Sequence, residues 1–197
     1  MAKNVFISFR YSDGYKYKED LASRFDRYYD TVDFSEDVNR SGMSDSTIQN
    51  YLYGKLRRSS VTIVLVTPGA VNHKKDWYGR YSDWMYDEIR YSLENRDNNR
   101  TNGLIAVYTP EATEYLIEQV PDAKLIKDVD NLFRKNMMNV KSQYKKNPKP
   151  NRFDSMEDSY CSLVAYDDFI SDISYYINNA VKKRDEKYKY EIYCRLQ

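Results

Sequence analysis

One seven-residue run constrains the fold of this chain more than any other feature. Residues 61–67 read VTIVLVT, and Pro68-Gly69 follows immediately. So many β-branched residues favour a strand, and a Pro-Gly pair ends it. A run without polar alternation is typical of a strand in a parallel sheet that helices cover on both faces. The run therefore predicts an α/β fold.

The rest of the chain alternates strand patterns with helix patterns. Short apolar runs predict strands at residues 4–9, 31–34, 104–108 and 160–164. Helical spacing of apolar residues predicts helices at 17–29, 45–58, 80–94 and 128–143, and a closing helix from Phe169 onward. Residues 10–14 are polar and predict a loop after the first strand. Five strands alternating with helices predict a flavodoxin-like, three-layer fold with a five-stranded parallel sheet in the order 2-1-3-4-5.

Length and composition predict a single domain over residues 1–197. Hydrophobic residues make up 41% of the chain, which is enough for one core. Residues 145–159 contain Pro148 and Pro150 and predict an irregular surface loop. A domain boundary there is the alternative, but too few residues follow it to build a second core.

Charge and short motifs exclude several classes of function. The formal net charge of +1 provides no strong field for nucleic acid or an acidic membrane, so we expect neither as a partner. The apolar runs are too short to span a bilayer, no secretory signal is visible at the N-terminus, and we expect a cytoplasmic protein with Cys161 and Cys194 as free thiols. His73 is the only histidine, so we expect no zinc site. There is no GxGxxG or P-loop motif, and we expect no bound cofactor.

The predicted strand order indicates where a ligand would bind. The chain changes direction between strands 1 and 3, so the loops that follow these strands diverge and leave a crevice. We expect the ligand between residues 10–14 and the segment that runs from Pro68 to the helix carrying Glu88.

Glu88 is the most informative candidate residue in this region. It lies four residues after Trp84, so both side chains project from one face of the predicted helix. A carboxylate beside a tryptophan is partly desolvated, which strengthens its electrostatic action. Alternatively, Trp84 and Ile89 pack on the sheet while Glu88 faces water, which is the commoner arrangement for a charged helix residue. These residues alone leave both interpretations open.

Three segments resemble the sequence boxes of TIR domains. Residues 5–10 (VFISFR), followed by Ser12-Asp13, resemble the first box, and residues 59–67 resemble the third-strand segment. The segment Ser82-x-Trp84-Met85-x-x-Glu88-Ile89 is similar to the TIR motif S-x-W-C-x-x-E-L, with methionine in place of the usual cysteine. Residues 167–169 (DDF), which enter the closing helix, are similar to bacterial TIR-like proteins. Within that family the closest likeness is to the TIR-like component of the Thoeris anti-phage system.

The resemblance implies a function. It implies an enzyme that cleaves NAD⁺ as its substrate, with Glu88 as the catalytic residue, and that releases nicotinamide and an ADP-ribose derivative, often cyclised into a second messenger. Such a diffusible nucleotide signal would act on a downstream effector in anti-phage defence. Together with the crevice it implies these substrate-binding residues: Phe9, Arg10, Ser12, Asp13, Ser82 and Trp84. Asp33, Asp37 and Ser41 are further possible nucleotide contacts.

Two other functions compete with the enzyme. A non-enzymatic adaptor would use its 21 tyrosines as an interaction surface, and self-association is expected in either case. A phosphoacceptor receiver shares the strand order, but it needs acidic residues where this chain has Ser8 and Thr67. We therefore set the receiver aside.

Overall fold

The computed structural model describes most of the chain. The residues described are 3–28, 31–33, 45–70, 77, 84–95, 100–120, 123–127, 131–149 and 152–196. The strands are β1 Lys3–Ser8, β2 Thr31–Asp33, β3 Val61–Val66, β4 Gly103–Tyr108, β5 Ile117–Val120, β6 Ala123–Ile126 and β7 Cys161–Ala165. The helices are α1 Tyr11–Tyr28, α2 Asp45–Arg58, α3 Trp84–Leu93, α4 Pro110–Leu116, α5 Leu132–Lys135, α6 Tyr166–Ser171 and α7 Ile173–Asp185.

Parallel strands form the centre of the fold. Strands β1, β3, β4 and β7 lie side by side in that order, and the three-residue β2 pairs with the outer edge of β1. This confirms the predicted α/β architecture and agrees with a flavodoxin-like fold. Strands β3 and β4 are buried along their whole length, as the unbroken apolar run predicted.

Helices cover both faces of this sheet. One apolar cluster joins α1, α6 and α7 to β1, β3 and β4, and a second joins α3 and α5 to the opposite face. A smaller cluster packs α2 beside α3. At Gly103 a side chain would collide with the carbonyl oxygen of Ala180, so the missing Cβ allows α7 to lie directly on β4. None of the helices in the described ranges is long and apolar enough to cross a membrane.

The loop predicted at residues 10–14 is wrong, because α1 already begins at Tyr11. The amide of Gly14 donates to the carbonyl of Arg10 at 2.8 Å, which closes the first helical turn. Polar side chains are favourable in a first turn, where the backbone N–H groups lack helical partners. The polar composition that suggested a loop therefore belongs to a helix start.

The helix predicted at residues 128–143 is also wrong. Its described part contains only the short α5, and the chain then turns through Met138 at a φ of 49°. Leu132, Phe133 and Met137 are buried, as their spacing suggested, but the helix does not continue. Instead the Asn136 side chain donates to the carbonyls of Leu132 and Tyr193, at 2.9 Å each. Contacts with the C-terminal segment thus replace further helical turns.

Three further differences concern the second half of the chain. The antiparallel pair of β5 and β6 was not predicted. The closing helix is divided into α6 and α7 at Asp172, whose side chain accepts from the amide of Tyr175 and caps α7. Residues 145–149 and 152–159 form bends and turns, as predicted for a surface loop. Cys161 and Cys194 are free thiols, and Cys161 is buried.

Candidate active site

Glu88 lies against the carboxyl end of β1. It is the fifth residue of α3, and only 8% of it is exposed to solvent. The hydroxyl of Ser8, the last residue of β1, donates to Oε2 of Glu88 at 2.5 Å. A charge-assisted hydrogen bond of this kind stabilises a carboxylate and fixes its orientation. Of the two interpretations left open by the sequence, the structure excludes a fully solvated Glu88.

Hydrogen-bonded side chains beneath α3 hold this helix in register with the sheet. Ser92 donates its hydroxyl to the carbonyl oxygen of Glu88 at 2.7 Å. Ser92 has a single hydroxyl proton, so the 2.8 Å contact with Thr62 on β3 must be a donation from Thr62. Asn102 in turn donates to Thr62 at 3.2 Å. We call Thr62, Ser92 and Asn102 the α3 relay; it links the backbone at Glu88 directly to strand β3.

Neighbouring charges on α3 are paired with each other. Arg90 contacts Asp87 at 3.1 Å and Glu94 at 3.0 Å, and Arg195 also reaches Glu94, at 3.3 Å. Asp87 is therefore engaged along the helix and does not form a carboxylate pair with Glu88, as its position about 100° around the helix indicated.

The first turn of α1 bridges the predicted crevice. Oδ2 of Asp13 accepts from the amide of Gly69, the residue after Pro68, at 2.9 Å. A side chain at Gly69 would approach that same oxygen to 2.9 Å, so glycine is needed for this close contact. The segments that follow β1 and β3 are thus tied together at the point where the strand order reverses.

A cavity of about 480 Å³ opens beside this bridge. It lies between the first turns of α1 and α4, and we call it the α1–α4 cavity. Its lining includes Tyr11, Ser12, Asp13, Tyr15, Lys16, Thr109 and Glu111. The lining residues that the structure describes lie on α1 and α4 and in the segments before them, and none of them lies on α3.

The structure distributes the predicted site residues over two places. Ser12 and Asp13 line the α1–α4 cavity, whereas Glu88 is bonded to Ser8 and is not among the residues that line this cavity. Phe9 packs partly buried on the α1 face of the sheet, with its ring centroid 6.4 Å from those of Tyr11 and Tyr15. The side chain of Arg10 passes close to Gly69.

The remaining candidates fall outside what the structure describes. Ser82, Asp37, Ser41 and His73 lie outside the described residues, and the side chains of Trp84 and Asp33 are not described. Ser8 is the site residue that the sequence argument missed. The signal for it was available, since Ser8 ends a buried strand at the edge where ligands bind in α/β folds.

The parallel sheet with helices on both faces defines the class of protein: an α/β domain, consistent with a flavodoxin-like TIR fold. Residues 6–114 match the family model described as Thoeris protein ThsB, TIR-like domain. The match covers more than half of the 197 residues, so the chain belongs to the Thoeris ThsB TIR-like family. This membership implies a role in anti-phage defence and signalling to an effector.

Proposed function

We propose that this protein cleaves the nicotinamide–ribosyl bond of NAD⁺, with Glu88 as the catalytic carboxylate. The observation that supports the proposal most directly is the burial of Glu88 at the carboxyl edge of the sheet, where Ser8 donates to it. A glutamate is rarely this buried unless its carboxylate is paired, and the described partner of Glu88 is a neutral hydroxyl and not a cation. The family match adds support, because it includes both Ser8 and Glu88.

The chemistry requires one well-placed negative charge. Breaking a nicotinamide–ribosyl bond develops oxocarbenium character on the ribose, as in glycoside cleavage. The Glu88 carboxylate would stabilise that positive charge in a site with little water, where electrostatic interactions are strong. Nicotinamide is already cationic in NAD⁺ and leaves as a neutral molecule, so no general acid is needed.

The preorganisation of Glu88 supports the same role. Ser8 holds the carboxylate from the strand side, while the α3 relay holds the backbone of the same residue. A carboxylate fixed before the substrate arrives needs no reorganisation during the reaction. Of the other candidates, Arg10 would pair with the pyrophosphate and Trp84 would stack on a flat ring, while Ser82 would add a polar contact.

The ADP-ribose derivative that this reaction releases would be the signal to the Thoeris effector. After nicotinamide leaves, the ribosyl cation is attacked either by water or by the adenine of the same molecule. Exclusion of water favours the adenine and a cyclic ADP-ribose product. In either case the ADP-ribose derivative would diffuse to the effector.

Glu88→Gln tests this proposal. Glutamine keeps the size and can still accept from Ser8, so the fold should be retained, and only the charge is lost. Turnover of NAD⁺, followed by mass spectrometry of the products, should fall about 100- to 1000-fold, equivalent to ~3–4 kcal/mol. If the folded variant turns over NAD⁺ at the wild-type rate, the assignment is wrong and the interaction-module function takes its place.

Asp87→Asn is the matched control for this experiment. It removes one negative charge from the adjacent position of the same helix, and its partner Arg90 keeps Glu94. NAD⁺ turnover by this variant should stay close to that of wild type. Glu94 is a poorer control, because it is 7% exposed and pairs with two arginines.

Self-association is part of the proposed function. Exposed aromatic side chains, such as Tyr11 at 66% and Tyr115 at 68%, are available for contacts between copies. If two copies complete the site, NAD⁺ turnover should rise more than linearly with protein concentration. Strict proportionality over a wide range, from a proven monomer, would contradict self-association and leave the role of Glu88 intact.

A further inference from the structure

Residues 191–196 form a segment without regular secondary structure, and we call this segment the strap. Its first half is fixed by Asn136 and Asn139, two buried asparagines that follow α5. The amide of Glu191 donates to the carbonyl of Asn139 at 2.9 Å, and the Asn139 side chain donates to the carbonyl of Glu191 at 2.7 Å. The Asn136 side chain bonds the amide and the carbonyl of Tyr193, at 3.0 Å and 2.9 Å. Hydrogen bonds to buried groups therefore hold this half of the strap in one place.

The second half of the strap contacts the end of α3, the helix that carries Glu88. Leu93 is the last residue of α3, and carbonyls in the last turn of a helix lack helical partners. The thiol of Cys194 donates to the carbonyl of Leu93 at 3.4 Å. Arg195 pairs with Glu94 at 3.3 Å, but its side chain is exposed, so this ion pair is a weak contact. The strap thus bonds α3 at its carboxyl end.

The strap also reaches the first half of α3. The amide of Leu196 donates to the hydroxyl of Tyr86 at 3.2 Å, and Tyr86 is buried. The side chains of Ile192, Cys194 and Leu196 pack, partly buried, against the apolar cluster that contains Tyr86 and Leu93. Contacts near both ends of one helix restrain its tilt as well as its position on the sheet.

The strap and Ser8 hold α3 from different sides. Tyr86 and Leu93 are seven positions apart, which is nearly two turns, so they lie on about the same face of the helix. Glu88 is two positions after Tyr86 and therefore lies about 200° around from it. Ser8 bonds the Glu88 carboxylate on one side of α3, and the strap bonds the helix on the other. Removing the strap should therefore leave α3 freer to move on the sheet.

From this geometry we propose that the strap positions α3 and so fixes the Glu88 carboxylate for catalysis, with Tyr86 as a positioning residue. The inference rests on the proposed function, because it gives the strap a part in the same reaction. A displacement of about 1 Å can cost about 100-fold in rate, so a restraint on α3 acts on turnover without touching the substrate. The family match ends at residue 114, so the strap lies beyond it.

Ending the chain at Tyr193 removes the contacts of the strap with α3 and keeps its anchor. The bonds from Cys194, Arg195 and Leu196 are lost, whereas those of the two asparagines stay. Amide hydrogen exchange in α3, followed by mass spectrometry, should be about tenfold faster than in wild type, as for the loss of one or two hydrogen bonds. Exchange in α7, which packs in a different apolar cluster, should not change. Unchanged exchange in α3 of the folded, shortened protein would overturn the inference.

Turnover by the same shortened protein separates positioning from a loss of stability. At a temperature where thermal melts show it to be folded, kcat for NAD⁺ should fall about tenfold while KM stays within about twofold of wild type. In Glu88→Gln the same shortening should cost little further activity, because the charge that the strap positions is already absent. An equal loss of kcat in both backgrounds would mean that the strap only stabilises the fold, which would overturn the positioning role.

Two tyrosines provide a matched pair of point variants. Tyr86 and Tyr190 are both 6% exposed, and Tyr190, which precedes the strap, donates its hydroxyl to the carbonyl of Glu157 at 2.8 Å. Tyr86→Phe should lower kcat about two- to tenfold, the range for one hydrogen bond. Tyr190→Phe also removes a hydrogen bond of a buried tyrosine but touches no contact with α3, so its kcat should equal that of wild type. The same kcat in both variants would contradict the role of Tyr86.

Failure of the proposed function and failure of this inference give different results. If wild type cleaves no NAD⁺, the catalytic assignment fails, and exchange in α3 still decides whether the strap holds the helix. If wild type cleaves NAD⁺ and shortening the chain changes neither α3 exchange nor kcat, the strap has no such role and the assignment of Glu88 stands.

Discussion

Polar side chains are buried beneath α3 and between α1 and α4, and their hydroxyl groups differ in how they are paired, although Oδ1 of Asn102 in the α3 relay also has no partner among the described residues. Beneath α3, the hydroxyls of Ser8, Thr62 and Ser92 are all hydrogen-bonded. Between α1 and α4, Asp13 and Thr109 keep polar atoms that have no partner in the described ranges. Paired groups fix a geometry, whereas unpaired ones retain a cost that a ligand can remove. The comparison indicates that hydrogen bonds from Ser8 and the α3 relay fix the orientation of Glu88, whereas Oδ1 of Asp13 has no such bond among the described residues.

After Glu88→Gln, the largest effect is expected from Ser8→Ala beneath α3. This change removes the donor to a buried carboxylate, and hydrogen bonds to charged groups contribute about 1.5–3 kcal/mol. NAD⁺ turnover should fall on the order of tenfold to a hundredfold. Comparing Ser8→Ala in the wild type with Ser8→Ala in Glu88→Gln gives the coupling between the two side chains. If Ser8 acts through the charge of Glu88, the loss of the Ser8 hydroxyl should cost little activity in the Glu88→Gln protein. Wild-type turnover by the single variant Ser8→Ala would contradict this role of Ser8.

Thr62 and Thr67 provide the next test. Both side chains are buried, but of the two only the Thr62 hydroxyl has a hydrogen-bond partner among the described residues. Thr62→Val removes the acceptor of one hydrogen bond from Asn102 and the donor to Ser92, so the free energy of unfolding should fall by about 1–3 kcal/mol. Thr67→Val removes a buried hydroxyl that has no partner among the described residues, so that free energy should not fall and should rise by up to about 1–3 kcal/mol. Urea unfolding of both variants measures the difference. Equal losses would mean that the hydrogen bonds of the Thr62 hydroxyl do not stabilise the fold.

The smallest effect concerns Glu111 at the rim of the α1–α4 cavity. Hydrogen bonds from Tyr17 and Lys16 lower the pKa of this carboxyl to about 2 from an ordinary 4.5. The folded state therefore holds the charged form more strongly than the unfolded state does. This contribution to stability is present above pH 4.5 and is lost as the pH falls toward 2. Because the carboxylate is half exposed, solvent screening keeps the contribution small.

Thermal melts of Glu111→Gln and wild type at several pH values measure this contribution. The two proteins should differ slightly at pH 7, and the difference should shrink between pH 4.5 and pH 2. A difference that grows on acidification would contradict the sign of the pKa shift.

Local sequence patterns correctly predicted the strands and helices whose buried faces depend only on residues close together in the sequence. The run at Val61–Val66 has no polar alternation, so only a strand covered on both faces accommodates it. Asp45–Arg58 is the helix that its apolar spacing predicted. The start of α1 was predicted wrongly because a polar first helical turn and a polar loop have the same composition. The helix predicted at residues 128–143 was wrong because the side chains of Asn136 and Asn139 donate to the carbonyls of Tyr193 and Glu191, which lie more than fifty residues further along the chain.

In the candidate site, too, local sequence patterns predicted some features and contacts between distant residues decided the others. The spacing from Trp84 to Glu88 and the likeness to the TIR boxes marked the glutamate from the sequence alone, and alternation of strands and helices placed it at the crevice. Whether Glu88 faced water or the sheet depended on a contact with Ser8, eighty positions earlier in the chain, which only parallel packing of β1 beside β3 brings within 2.5 Å. Likewise, Asp13, Thr109 and the tyrosines of α1 meet at one cavity because the first turns of α1 and α4 adjoin the same edge. Sequence patterns encode which face of an element is apolar, while the pairing of distant polar atoms is set by tertiary structure.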